Sequence, residues 1–254
     1  MDSGTFASEA AHEASHWWFV GRRRLFAREI LGSGLPNNCA VLDVGTSTGT
    51  NLRMLRDIGY RNVVGLDYSA EAIAFCESKG FGPVEQGDIR AMPFAPESFD
   101  LVLATDIIEH IDDDAKALSE IARVLKPGGL VLITVPAFPS LWGLQDRVAQ
   151  HKRRYRRPQL LARISGAGLN VESSYHFNYV LFLPIFLARR LIDLFGLKAS
   201  SEAEYNSPAL NWIFKHVFAF DVLSARRLKP PFGVSILALV RKPLKPGTMR
   251  DTLQ

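Results

Sequence analysis

The chain has 254 residues, a net charge of +4, 47% hydrophobic residues and two cysteines. That length can bury the core of one α/β domain with added elements, and cysteines in apolar or helical contexts exclude a disulfide scaffold and suit a reducing cytoplasm. No stretch reaches about 18 apolar residues, which excludes a spanning helix, and Asp2, Glu9 and Glu13 stand where a signal peptide would carry basic residues.

The first element in chain order is a helical segment over 8–31, with Trp17, Trp18, Phe19, Leu25 and Phe26 as its apolar contacts. Gly34, Pro36, Asn37 and Asn38 form the loop behind it. Next comes Val41-Leu42-Asp43-Val44-Gly45-Thr46-Ser47-Thr48-Gly49-Thr50-Asn51, a buried strand running into a turn of small residues. Leu52, Leu55 and Ile58 continue it at helical spacing. Such a turn lets main-chain N–H groups approach a ligand at the positive end of a helix dipole, although a tight structural turn reads the same way.

The following segments alternate: strand 40–44, helix 50–58, strand 62–66, helix 70–79, strand 82–86, strand 99–104, helix 113–125 and strand 130–135. Lys126-Pro127-Gly128-Gly129 turns the chain into the last of these. The rhythm predicts a parallel sheet with helices on both faces, and right-handed crossovers put the strand C-termini and a ligand on one edge. Two acids mark that edge. Asp67 ends Val63-Val64-Gly65-Leu66, about 20 residues past the glycine turn, the spacing of an acid that accepts from a ribose hydroxyl pair. Its structural alternative is a helix N-cap with Ser69. Asp88 lies in Gly87-Asp88-Ile89, where the chain leaves another strand. Beyond Pro136 come a helix over 157–166, a strand over 170–177 and a final strand over 234–240. The intervening 178–233 is too long to be structureless, so helices are expected at 179–195 and 209–220. The tail after Lys242 reads as frayed.

This ensemble resembles the class I S-adenosylmethionine-dependent methyltransferases of type 11, closely over 36–136 and loosely beyond. The resemblance implies an α/β, Rossmann-like, doubly wound fold. Its seven-stranded sheet would be mostly parallel with the last strand antiparallel, with an N-terminal cap helix and a helical insertion before the last strand. One domain would span 1–254: cap 1–35, cofactor-binding core 36–177, insertion 178–231 and final strand 232–242. The implied cofactor is S-adenosyl-L-methionine, with Asp43, Gly45, Thr46 and Gly49 along its methionine part. Asp67 would hold the ribose with Tyr68 beside it, Asp88 and Ile89 the adenine, and Thr105 would sit near the reacting methyl. The turn departs from the family pattern at Ser47, where glycine is usual, and at Thr46, where cysteine is frequent. His16-Trp17-Trp18-Phe19 with Arg22 and Arg23 resembles the cap helix of a subset of these enzymes, and ordinary helix packing explains it equally well.

Methyl transfer from a sulfonium is an in-line displacement in which the protein mainly aligns the partners, so the cofactor residues are readable while a base need not exist. Asp106-Ile107-Ile108-Glu109-His110 resembles the corresponding segment of the ubiquinone-pathway O-methyltransferases. Paired acids with a histidine could ligate a hard divalent cation; a structural Glu-His near the cofactor is the leading reading, and no metal is assigned. His110, His151 and Tyr155 are the catalytic candidates, histidine being suited to titrate near neutrality.

Arg22-Arg23-Arg24 and Lys152-Arg153-Arg154-Tyr155-Arg156-Arg157 are either solvated faces or contacts for an anionic partner. Nucleic acid is disfavoured, because these runs lack an aromatic platform and no Asn-Pro-Pro-Tyr-like signature follows the fourth strand. The apolar run from Tyr179 to Ala188, broken by Pro184 and followed by Arg189 and Arg190, suits a lid, an interfacial helix or a dimer interface. The reading that results is a methyltransferase acting, most often at oxygen, on a small, hydrophobic or lipid-linked acceptor. It would be cytoplasmic, with peripheral membrane contact through the insertion and no assigned oligomeric state. The alternative is a non-catalytic cofactor-binding or membrane-associated protein on the same fold. A nicotinamide or nucleotide-sugar enzyme fits less well, since the turn is not Gly-x-Gly-x-x-Gly.

Overall fold

A computed structural model describes residues 10, 13–195 and 207–245. Its centre is a seven-stranded sheet in the order β3-β2-β1-β4-β5-β7-β6. The strands are β1 (Val41–Val44), β2 (Val63–Asp67), β3 (Val84–Gln86), β4 (Phe99–Thr105), β5 (Leu125–Pro136), β6 (Asn170–Phe177) and β7 (Ser235–Arg241). The β1–β2, β1–β4, β2–β3 and β4–β5 pairs are parallel. Strand β7 runs antiparallel between β5 and β6. The chain leaves β1 towards β2 and β3, then restarts on the other side at β4. A crevice therefore opens at the C-terminal ends of β1 and β4, the usual ligand position of an open α/β sheet. Register brings the ends level, with Val44 opposite both Leu66 and Ala104.

Burial on both faces follows from the strand pleat. Leu42, Val44, Val102, Ala104, Val131 and Ile133 join one core with helices α4 (Asp114–Val124) and α6 (Arg157–Gly166). Val41, Leu101, Leu103, Leu130 and Leu132 point to the other core, shared with α1 (Trp17–Gly32), α2 (Thr50–Asp57) and α8 (Pro208–Leu228). Strands buried on both faces read as continuous apolar runs, which is why their positions were visible in the sequence. The remaining helices are α3 (Ala70–Ser78), α5 (Leu144–Val148) and α7 (Phe182–Phe195).

Four expectations are corrected. Helix α1 starts at Trp17, where His16 is extended (φ −66°, ψ 133°) and its side chain accepts from the Trp18 N–H. It therefore does not run unbroken from residue 8, and 1–9 and 11–12 lie outside the described residues. Lys126–Gly129 is a bulge within β5, with Gly128 at φ 78° and the β4 register shifting between Phe99 and Leu101. Helix α8 continues past residue 220 to Leu228. Lys245, expected in a frayed tail, is tied down: its Nζ pairs with Glu97 at 2.8 Å, beside Lys242, whose Nζ donates to the Leu125 carbonyl.

The insertion helix α8 and the N-terminal helix α1 pack as a pair. Trp17 and Trp18 each lie 5.3 Å from the Phe218 ring, one edge-on and one stacked. A Cβ on Gly21 would fall 2.1 Å from that ring, so the glycine sets how closely the helices approach. Arg226 pairs with the buried Glu29 at 2.8 Å. Asp221, buried on α8, accepts from the Asn178, Tyr179 and Val180 N–H groups and so pins the chain as it leaves β6.

Candidate functional site

The turn after β1 is built by positive φ at three positions. Gly45 (φ 76°) and Gly49 (φ 78°) are glycines, while Ser47 takes φ 49°, a region glycine occupies without strain. A Cβ at Gly45 would fall 2.7 Å from Ile107, and one at Gly49 would fall 2.8 Å from Phe81. The Ser47 N–H donates to Asp67 Oδ2 at 2.8 Å, so the residue that departs from the family pattern is held by the expected ribose acid. Asp67 Oδ1 accepts from the Ser69 N–H at 2.9 Å. Ser69 itself caps α3. Asp67 thus joins two loops, and lone pairs remain on each oxygen for further donors.

Asp43 is fully buried, and its Oδ2 has no hydrogen-bond partner among the described residues. Burial pushes its pKa up to about 7 against a 3.0 Å hydrogen bond from Asn51, and the nearby Asp67 charge adds to the rise. The same Asn51 amide donates to Thr105 Oγ1 at 3.0 Å, linking the ends of β1 and β4. Thr46 belongs to the turn itself: its hydroxyl donates to the Asp43 carbonyl at 3.1 Å and its N–H to the Leu66 carbonyl at 3.2 Å.

A cavity of about 270 Å³ opens at the sheet edge, lined by Gly45, Asp67, Tyr68, Asp88, Ile89 and Ile107 among others. Tyr68 stands at its rim, 77% exposed, and Ile89 is buried. The Asp88 carboxylate is paired with Arg90 at 2.6 Å, a hydrogen bond that holds its pKa below the usual carboxylate range. A larger hollow of about 820 Å³ lies on the α1 side of the turn, against Glu13, Thr48, Thr50, Arg23 and Arg53. It contains none of the acids at the strand ends, so size alone does not select the site. Glu13 closes the turn from behind by accepting from the hydroxyls of Thr48 and Thr50. Arg22, on α1, forms an ion pair with Asp106 just past β4.

Among the catalytic candidates, the structure brings two together and buries the third in the core. His110 ends a short turn, Ile108–His110, and stands against His151 with ring centroids 4.7 Å apart. Burial and the neighbouring His151 lower the His110 pKa to about 4. Tyr155 is fully buried and its hydroxyl donates to Asp114 at 2.8 Å; burial and that carboxylate push its ionisation far up. It braces the core. Sequence reasoning missed Asn51, Glu13 and Asp146. Asn51 carried the clearest signal, a polar residue just inside the helix that leaves the glycine turn.

These features define an α/β domain built to hold an adenosyl cofactor in the crevice between β1 and β4. The cradle fits such a group: Gly45 leaves room for its approach, Asp67 faces the cavity, and the unpartnered Asp43 oxygen is an acceptor suited to cationic ligands. Residues 42–133 match the family model for the methyltransferase domain. Over this part the chain is similar to S-adenosylmethionine-dependent methyltransferases, among them a probable one from Mycolicibacterium smegmatis that is 29% identical over 165 residues, covering 63% of this chain and 62% of that protein. The demethylmenaquinone methyltransferase of Chlorobaculum parvum is 32% identical over 126 residues, covering 49% of this chain and 51% of that protein. This chain spans about half the length of the curated relatives it matches. In fold, it is similar to the partner of the Trm112 methyltransferase activator in a complex from Haloferax volcanii (TM-score 0.63, 22% identity, 94% of this chain and 95% of that one). It is also similar to the [4+2]-cyclase SpnF (TM-score 0.56, 23% identity, 83% and 76%).

Proposed function

We propose that the protein transfers the methyl group of S-adenosylmethionine to a hydroxyl of a small, hydrophobic or lipid-linked acceptor. The observation that carries the cofactor half is the buried Asp43 carboxylate with an unpartnered oxygen at the end of β1. Ligands with an ammonium or sulfonium charge would satisfy it. When bound, the cofactor supplies an activated methyl group; Asp67 and Asp43 hold and orient it, and the loop ends around Thr105 position the acceptor. Handling of the acceptor's proton falls to the His110–His151 pair.

The acceptor half rests on the insertion. Phe182, on α7, lies 5.7 Å from Phe138 beyond β5 and 5.2 Å from Phe232, so the insertion covers the loop after β5 with aromatic rings. Leu183, Leu187, Leu191 and Leu194 form an exposed stripe along α7, with exposed Trp212, Ile213 and Phe220 on α8. An apolar surface of this kind suits a lipid-like substrate or the face of a membrane that holds one. No helix among the described residues is long and apolar enough to cross a membrane. The relative named demethylmenaquinone methyltransferase supports an acceptor of the quinone kind.

Calorimetry with S-adenosylhomocysteine, followed by transfer of labelled methyl groups to organic-phase and aqueous acceptor pools, tests both halves. Label in the organic phase is expected; absence of cofactor binding would overturn the reading. The fold alone does not fix the reaction, so a non-catalytic cofactor-binding protein on the same fold is the alternative reading. Cofactor binding with no methyl transfer to any pool would favour that alternative.

A further inference from the structure

Glu109 is fully buried, and neither carboxylate oxygen has a hydrogen-bond partner among the described residues. One oxygen lies 4.0 Å from His151 Nε2. One potential ligand atom from each of Glu109, His110 and His151 lies within 4.8 Å of the other two. A buried carboxyl group with no partner is costly in either state: ionised, it is an unsolvated charge, and protonated, it leaves its own O–H unbonded.

The His151 imidazole is fixed from behind. His151 Nδ1 lies 2.8 Å from Asp146 Oδ1. Asp146 is fully buried and also accepts from Arg154 Nε at 2.7 Å and the Gly143 N–H at 2.8 Å. With its oxygens ion-paired to Arg154 and bonded by the Gly143 N–H, Asp146 serves as an acceptor, so His151 Nδ1 carries the hydrogen and Nε2 keeps its lone pair, turned towards Glu109. Anchoring one ring nitrogen so that the other is aimed is how metal-binding histidines are held. The nearby cations are already committed, Arg22 to Asp106 and Arg154 to Asp146.

We propose that Glu109, His110 and His151 form a binding site for one divalent cation of the zinc type. Two imidazoles with one carboxylate favour zinc, cobalt or nickel over magnesium or calcium, and three ligands leave a position for a small oxygen ligand. Ligand atoms about 2.0–2.2 Å from a tetrahedral ion stand roughly 3.3–3.6 Å apart, so the cluster closes on an ion by side-chain shifts of about 1 Å. The acid pair suggested by sequence is not the ligand set, because Asp106 is taken by Arg22 and the third ligand comes from the loop after β5. The site bears on the proton-handling role proposed above for the two histidines but does not rest on it, since binding needs neither cofactor nor acceptor.

The test is titration of the chelator-stripped full chain with Co²⁺ and Zn²⁺ separately. One equivalent of Co²⁺ is expected to bind, with the intense visible absorption of a four- or five-coordinate ion, and Zn²⁺ should displace it. Glu109→Gln and His151→Asn should each weaken binding at least tenfold, and the exposed neighbour Asp112→Asn should not. His110→Asn replaces either variant that fails to fold, and S-adenosylhomocysteine affinity reports that the fold is intact. No binding of either ion at about 100 µM, or undiminished binding in the ligand variants, would overturn the proposal. Either result leaves the cofactor reading standing, while lost cofactor binding with retained Co²⁺ absorption would overturn only that reading.

Discussion

At Asp43 a single residue sets fold stability against ligand binding. The native carboxyl holds its proton up to about pH 7 because it is buried, while an ordinary aspartate releases it near 3.8. Between these values the native state carries a proton that the unfolded chain has lost, so stability falls as pH rises through the window. Thermal melts of the ligand-free protein should show this decline, and Asp43→Asn should flatten it. A cationic cofactor favours the ionised form, so calorimetry at pH 6 should show proton release on binding as a buffer-dependent enthalpy. Asp67→Ala should weaken cofactor binding by roughly 1–3 kcal/mol, the scale for losing hydrogen bonds at a charged group; unchanged affinity in calorimetry would count against its ribose role. Some of these residues were legible from spacing alone. Asp67 stands at a fixed distance beyond the glycine turn, and Asp43 ends an apolar strand. The unpartnered oxygens of Glu109 and the anchoring of His151 by Asp146 were not legible, because they depend on which loops meet beyond the strand ends.

At the scale of elements, the sheet was readable because each central strand is apolar on both faces and bounded by turn residues. The short helix α5 was missed, since five residues carry too little periodicity to show. The length of α8 was underread because its last turns face the core through Val222 and Ala225 while Leu223 and Leu228 point outward. The contact between α1 and α8 carries its own prediction. Gly21→Ala would drive a methyl group into the buried Phe218 ring, and overpacking of this kind costs about 1–3 kcal/mol. The melting temperature should fall, and Gly21→Ala combined with Phe218→Leu should recover part of the loss. A lone Gly21→Ala protein as stable as the parent would show that α1 and α8 can separate without consequence.

Across the whole molecule, the basic runs turn out to serve the fold more than the surface. Arg154 is buried with Asp146, Arg153 contacts Asp114 at 3.1 Å, and Arg157 donates to the Ser174 carbonyl. The +4 net charge therefore overstates what an anionic partner would meet on this side. Apolar exposure is concentrated elsewhere, on α7 and α8. Co-sedimentation with vesicles should accordingly depend on that stripe: replacing Leu187 and Leu191 by glutamate should abolish binding, and persistence of binding would place the membrane contact elsewhere.

The packing of α1 on α8 also orders events in time. The strands β1 to β5 can pair as soon as they leave the ribosome, because their partners are near in sequence. The helix that holds α1 in place is made only after β1 to β6. Until it emerges, Glu13 and Arg22 have no fixed platform from which to close the glycine turn, and Trp17 and Trp18 lack their cover. A growing chain would thus carry the paired strands β1 to β5 with an unsecured cofactor crevice until α8 emerges.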